Sequence, residues 1–313
     1  MVDSYELIEA GPAYTPLRFG LLSAVEQPLS QDRWRLGLLR QPPVCDGADS
    51  ILALPCLVTG GPSMVPTVTG APLIASDPFR VYAWIQCSTM GWGDDLDALR
   101  ARTLAALTNG EARSVEHTVW TGVPTATGVG GAGPVYPHLA SNAQVLAAQQ
   151  GAATVEKQAA AQVLTSGTAL DVVEGLAVLE GALASCYGAE GVIHVPRVAL
   201  PLLRAQNVIE QQGQQLRTLG GNVVAGYASG DRMGPDGTTP AAGQGWFYAT
   251  GAVQVYRSGI NDRGRTPGEI VGRRDNSTVY LVERTYVVTW DCCLIAAQVQ
   301  FGGIVSGAVG SAT

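Results

Sequence analysis

The chain has 313 residues, enough for one to three domains with a sizeable core. Charged residues make up 14 % of it against about 25 % in an average globular protein, so it is short of solvated surface, and other subunits are expected to cover much of its exterior. A net charge of −7 without a basic tract argues against tight phosphate-backbone binding, and no run of apolar residues is long enough to predict a transmembrane helix or a signal peptide.

The first 30 residues carry no hydrophobic period, and Pro12, Pro16 and Pro28 favour an extended arm (1–30) that gains its order from contacts outside itself. From Trp34 to Ile74, strand-like pieces alternate with Pro42-Pro43, Asp46-Gly47, Gly60-Gly61-Pro62 and Thr69-Gly70, the pattern of a long two-stranded loop (31–78). Such a hairpin is marginal alone and is expected to pack on a neighbouring chain. Phe79 to Cys87 alternates as a strand and leads to the longest helical stretch, 94–120. Asp94 stands at its N-cap, and Leu96, Leu99, Leu104, Leu107, Val115 and Val119 recur mostly at spacings of three, four or eight. Arg100, Arg102, Glu111, Arg113 and Glu116 are predicted to point elsewhere. Asn109-Gly110 is a weak point, costing about 1 kcal/mol against Ala, where a kink would fall. At 1.5 Å per residue the span is about 40 Å, a beam rather than an ordinary core helix.

Val123 to Pro137 is rich in glycine and proline and reads as a loop. Asn142 to Lys157 is a weak Ala/Gln-rich helix. Thr168 to Tyr187 is a strong one, with Thr168 as N-cap, Leu170, Val173, Leu176, Leu179 and Leu183 inward, and Gly188 as its stop. Val192 to Val195 is a short buried strand, Pro196 to Gln215 a helix, Val223 to Tyr227 a strand, Ser229 to Gly245 a second glycine-rich loop, and Trp246 to Tyr256 another strand. Six arginines from Arg257 to Arg284 interleave with Asp262, Glu269, Asp275 and Glu283, favouring salt-bridged contact between subunits over nucleic-acid binding. Val279 to Phe301 is the longest β-branched and aromatic run, predicted as one strand covered on both faces.

The chain has no GxSxG elbow, P-loop, HExxH or EF-hand pattern, and no GxGxxG behind a strand. His117, His138 and His194 are far apart, and His194, in a short apolar strand, is expected to be a hydrogen-bonded core histidine. Asp231-Arg232 and Asp236-Gly237 fit turn chemistry as well as hydrolase carboxylates. The six cysteines, Cys45, Cys56, Cys87, Cys186, Cys292 and Cys293, lack CxxC spacing, so buried free thiols are expected, and Cys292-Cys293 on one strand would face opposite ways rather than share a metal. No catalytic residue, cofactor or metal is predicted, and the chain is read as a non-enzyme.

This order of parts resembles a tailed-bacteriophage major capsid protein of the Hong Kong 97 type. The likeness is carried by FRVYAWIQCSTMGWGDDLDALRARTLAALTNGEARSVEHTVW (79–120), LDVVEGLAVLEGALASCYGAEGVIHVP (170–196) and VYLVERTYVVTWDCCLIAAQVQF (279–301). It covers nearly the whole chain in order and texture rather than through a short motif. The resemblance implies an α+β, Hong Kong 97-type capsid fold with an N-terminal arm (1–30) and an extended β-hairpin loop (31–78). A peripheral domain (79–154) carries the long spine helix 94–120. An axial α/β domain (155–260) follows, and the chain then returns to the peripheral domain with a C-terminal tail (261–313).

The implied function is a major capsid (head) protein that self-assembles as pentamers and hexamers into an icosahedral shell enclosing double-stranded DNA. Its partners would be copies of itself, with a separate scaffold, portal and decoration proteins, the DNA enclosed without sequence-specific binding and no membrane involved. The place would be the virion, assembled in the bacterial host cytoplasm. Contacts between subunits are expected at Trp34, Arg35, Arg40, Asp231, Arg232, Arg257, Arg263, Arg265, Arg273 and Arg274. Some relatives join subunits through a lysine in the extended loop; here Lys157 is the sole lysine and lies outside it, so no such crosslink is expected. Others carry a long cleaved N-terminal scaffold; because an arm begins at Met1, any scaffold is expected to be a separate protein. An encapsulin-type compartment, another virion component such as a tail or decoration protein, and a cytosolic α/β hydrolase using Asp231 or His194 remain alternatives.

Overall fold

The computed structural model describes residues 17–25, 27–28, 32–40, 74–87, 96–125, 134–141, 158–165, 167–235, 237, 239–262, 271–272 and 277–302. The excursion 41–73, the Ala/Gln-rich helix expected at 142–157 and four of the six arginines between 257 and 284 lie outside these residues. At the foot of the excursion, β1 (Leu38–Arg40) pairs antiparallel with β2 (Ile74–Ser76), so the predicted hairpin loop has a strand-paired base.

Two sheets organise the rest. β3 (Phe79–Cys87) lies along β14 (Ser277–Trp290), with Tyr286 opposite Phe79 and Thr278 opposite Cys87. Along β3 the alternation is as predicted, with Phe79 and Val81 buried and Arg80, Trp84 and Gln86 exposed. The other side of β14 takes β11 (Val253–Arg257), β12 (Asn261–Asp262) and β13 (Val271–Gly272), completing a five-stranded sheet. In the eight-stranded sheet, β15 (Leu294–Gln300), β10 (Gln244–Thr250), β6 (Val192–Pro196), β9 (Val223–Tyr227), β8 (Gln215–Thr218) and β7 (Ile209–Gln212) lie in that order. β4 (Gln162–Val163) and β5 (Leu170–Asp171) add in parallel to the free side of β15.

α2 (Leu96–Thr121) covers the five-stranded sheet and one face of the eight-stranded sheet, while α3 (Val172–Cys186) and α4 (Ala199–Ala205) cover the other face. Alternate residues of each central strand therefore enter different cores. Tyr248 packs with α2, whereas Phe247 and Ala249 pack beneath α3. Strands covered on both sides read as unbroken apolar runs, which accounts for β6 and β9.

Several expectations are corrected. α2 runs unbroken through Asn109-Gly110, and Glu111 and Glu116, predicted to point away, are buried. They fall on the same four-residue rows as Leu107, Val115 and Trp120, and rows of that spacing share a face. The expected cap Asp94 lies outside the described residues. In α3 the cap is Asp171, not Thr168: its Oδ1 accepts from the N–H groups of Val173 (2.7 Å) and Glu174 (2.9 Å), and Glu174 reaches back in a capping box. Gly188, at φ 67, closes the helix as predicted.

The long helix predicted at 196–215 stops after α4. Asn207 turns left-handed at φ 55, and β7 and β8 form a hairpin around Gly213, whose φ of 61 suits the first central position of a two-residue turn. The single strands predicted at 246–256 and 279–301 each break in two. β10 and β15 pair in one sheet and β11 and β14 in the other, so a two-stranded ribbon passes from sheet to sheet at Gly251-Ala252 and Asp291 to Cys293. Cys292 and Cys293 thus sit in a corner, with Cys293 at φ 71, not on opposite faces of a strand. Free thiols are overturned at three of the six cysteines, because Cys186 and Cys293 form a disulfide and Cys292 is disulfide-bonded too.

Finally, the described part of the expected arm lies on the chain's own body. α1 (Leu21–Ala24) buries Leu21 and Ala24 in the core under α2, the N–H of Gly226 donates to Phe19 O, and Gln215 donates to Ala24 O.

Candidate functional site

The polar side chains of α2 form a connected group, because three consecutive turns of one helix face both a sheet and a loop. Glu111, 6 % exposed, accepts from Arg257 Nη2, from Arg284 Nη1 (2.8 Å) and from the Tyr286 hydroxyl (2.7 Å). Two cations on one buried carboxylate satisfy it fully. Burial and the adjoining Glu111 charge raise the Tyr286 hydroxyl well above the usual phenol range, so it stays a donor.

One turn on, Glu116 is 1 % exposed. Oε1 accepts from the Leu21 N–H (3.1 Å) and Oε2 from the Ala228 N–H (2.6 Å). Burial pushes its pKa up to about 7, against the pull of those amides and of Arg197. Gly20 leaves room for this carboxylate, since a Cβ there would stand 2.4 Å from Glu116 Oε1 and displace it. His117 Nδ1 lies 2.8 Å from Asp231 Oδ2, and Trp120 donates from Nε1 to Met233 O (2.9 Å) while its ring meets Tyr227 and Tyr248 edge-on at 5.0 and 5.1 Å. The front of the loop predicted at 229–245 is therefore strapped to α2 rather than projecting.

These groups hold segments together. His194 is fully buried with Nδ1 on the Tyr227 hydroxyl (3.0 Å) and Nε2 on Thr250 Oγ1 (2.9 Å), and burial drops its pKa to about 3. This is the core histidine expected from the sequence. His138, lowered to about 4 by burial, rests Nδ1 on Val135 O. A groove of about 330 Å³ between β3 and α2 is lined by Arg80, Tyr82, Trp84, Ser114, Thr118 and neighbours, with no carboxylate, histidine or cysteine among them. No group of three or more potential metal ligands occurs among the described residues, and no described helix is long and apolar enough to cross a membrane.

Of the ten residues put forward for contacts between subunits, Trp34, Asp231 and Arg257 meet partners within the chain. Trp34 is 5 % exposed with its ring 5.9 Å from that of Tyr256, Asp231 holds His117, and Arg257 holds Glu111. Arg257 and Arg284 thus bond within the subunit, where contact between subunits was preferred. Arg35 is exposed, Arg40 ends β1 opposite Ile74, and Arg232 is half-buried. Arg263, Arg265, Arg273 and Arg274 lie outside the described residues. The sequence reading missed Glu111, Glu116 and Trp120; the available signal was a carboxylate set within an apolar row of period four.

Two sheets joined by a ribbon and spanned by one long helix make a distinctive whole-chain comparison. The capsid of a native GTA particle superposes with a TM-score of 0.51, covering 96 % of this chain and 96 % of that one at 10 % identity. The chain has a capsid-protein fold. The capsid of Cyanophage Pam1 gives a TM-score of 0.45 at 9 % identity over 97 % and 98 %, and that of Ralstonia phage GP4 gives 0.44 at 9 % over 96 % of each chain. No protein-family model matches the chain, and no curated protein matches it in sequence. At 10 % identity the likeness to the GTA capsid is one of fold.

Proposed function

We propose that the chain is a major capsid protein that assembles as pentamers and hexamers into a closed icosahedral shell around double-stranded DNA. The observation that carries this reading is the end-to-end match in fold to a capsid subunit, 96 % of each chain with no large part left over on either side. Within it, the five-stranded sheet and α2 are the peripheral domain, and the eight-stranded sheet with α3 and α4 is the axial domain of the Hong Kong 97 type. Residues 1–30 are the arm, anchored at 18–24 on the subunit's own body, and 31–78 are the extended loop, leaving from the β1–β2 base.

Shell strength then comes from many modest interfaces between copies. Arg35, Arg40, Arg232, Arg263, Arg265, Arg273 and Arg274 are contact candidates in such a shell. A net charge of −7 suits a wall that encloses DNA without gripping it. A separate scaffold, a portal and decoration proteins are the further partners, with the virion as the place of action and the host cytoplasm as the place of assembly. Negative-stain microscopy of the purified full chain tests the reading: closed shells are expected. Tubes or isolated knobs would assign the chain to another virion part, shells filled with an enzyme cargo would make it an encapsulin-type compartment, and a small compact oligomer would overturn the shell altogether.

A further inference from the structure

The ribbon that passes between the two sheets is the joint of the molecule, and several close contacts converge on it. The Gly251 N–H donates to Cys292 O (3.2 Å) and the Asp291 N–H to Ala252 O (3.1 Å), so the two crossings run side by side. A Cβ at Gly251 would meet Cys292 O at 2.8 Å, Asp291 Cβ at 2.9 Å and Tyr187 Cε2 at 3.0 Å, which leaves no slack between the crossings and the end of α3. The Tyr187 hydroxyl donates to Asp291 Oδ2 at 2.8 Å, and next to it Cys186 is bonded to Cys293 across 107 residues of chain. Both cysteines are half-buried, within reach of small reagents.

We propose that Cys186 and Cys293 are a redox-operated lock on this joint, open as two thiols in a reducing compartment and closed after exposure to an oxidising one. Closing needs a small-molecule disulfide as oxidant. One cysteine thiolate attacks a sulfur of that disulfide and expels a small thiolate, leaving a mixed disulfide. The second cysteine thiolate then attacks the protein sulfur of the mixed disulfide and expels the other small thiolate. Two electrons and two protons pass in total from the protein pair to the small disulfide, which leaves as two thiols. The closed bond fixes the end of α3 to the corner where the chain leaves β14 of the five-stranded sheet and enters β15 of the eight-stranded one, both cysteines packing against the core beneath α3. The angle between the sheets then loses freedom, and the unfolded chain loses the entropy of a long loop. The lock is a property of the single subunit and stands whether or not shells form.

The test uses the purified full chain, oxidised with glutathione disulfide or held under a phosphine reductant. Peptide mapping without reduction recovers a 186–293 crosslinked peptide from the oxidised chain, and alkylation labels both cysteines in the reduced one. Reduction lowers the melting temperature by on the order of 10 °C and speeds amide exchange at 183–188, 250–253 and 290–294. Because Cys292 is disulfide-bonded as well, the Cys186→Ser chain separates the two effects: oxidised, it already shows the faster exchange at the joint and the lower melting temperature. Alkylation of both cysteines in the oxidised, folded chain would overturn the lock, as would a Cys186→Ser chain identical to oxidised wild type. Should that chain not fold, unchanged exchange at 183–188 on reducing the wild type would overturn it equally.

Discussion

Glu116 shows how much one side chain can decide at the scale of a residue. Its two oxygens bind the amides of Leu21 and Ala228, which are 95 and 112 positions away in sequence, so one buried carboxylate fastens the N-terminal segment and the end of β9 to the same helix turn. The arrangement carries an electrostatic cost. With a pKa raised from 4.5 to about 7 by burial, the folded chain keeps the Glu116 proton over a pH range in which the unfolded chain has released it. Folding takes up a proton between those values, so this group's contribution to stability falls as pH rises through them. The full ionisation cost, on the order of 3 kcal/mol, is present above about pH 7 and absent below the unfolded value. Urea unfolding of wild type and Glu116→Gln from pH 4 to pH 8 measures it: the wild type is expected to lose stability relative to the variant across this window. Parallel curves would mean that the carboxylate does not hold its proton in the fold. At Glu111, Arg257 and Arg284 both bond to the carboxylate, and removing it would take a partner from each guanidinium group.

Local signals at the scale of elements were legible where they acted alone. The strands 79–87, 192–196 and 223–227, the length of α2, the inward leucines Leu176, Leu179 and Leu183 of α3, and its Gly188 stop all follow from period and end chemistry. The start of α3 did not, because Thr168 and Asp171 are both good caps and only the pairing of Leu170 and Asp171 with β15 holds the chain extended up to 171. Asp171→Ala is therefore expected to lower the unfolding free energy by about 1 kcal/mol, while Thr168→Ala leaves it nearly unchanged. A larger effect at Thr168 in chemical denaturation would return the cap to that residue. The stretch 196–215 misled for a related reason: Leu and Gln favour a helix, yet Ile209 and Leu216 find buried places on the edge of the eight-stranded sheet, and Gly213 makes the turn that reaches them.

For the whole molecule, the low charge content has two sources that composition cannot separate. Both faces of the eight-stranded sheet are covered by the chain's own helices, which removes sites where charge would otherwise sit. Apolar side chains also remain outside, with Leu36 96 %, Leu219 75 % and Leu39 61 % exposed; Leu36 lies just before β1 and Leu39 within it, at the root of the proposed extended loop. They suit burial under other copies in the shell proposed above. Assembly through such contacts would leave the copies separable, since the sole lysine, Lys157, lies outside residues 31–78. Particles boiled in detergent with reductant are accordingly expected to run as a single subunit band, and a ladder of multiples would reveal a covalent link of another kind.

The sequence by itself determined the strands at 79–87, 192–195 and 223–227, the long helix α2 and the stop of α3, that His194 belongs to a core, that no catalytic motif is present, and that the order of parts resembles a capsid subunit. Period, caps and turn residues act over a few neighbours, so they can be read without knowing the fold. Only the tertiary structure decided that Glu111 and Glu116 face inward, that Cys186 meets Cys293, and that the apolar runs 246–256 and 279–301 bend from one sheet into another. Each of these depends on a partner 95 or more residues away or on a corner between layers, and a linear pattern holds no record of what will lie across from it.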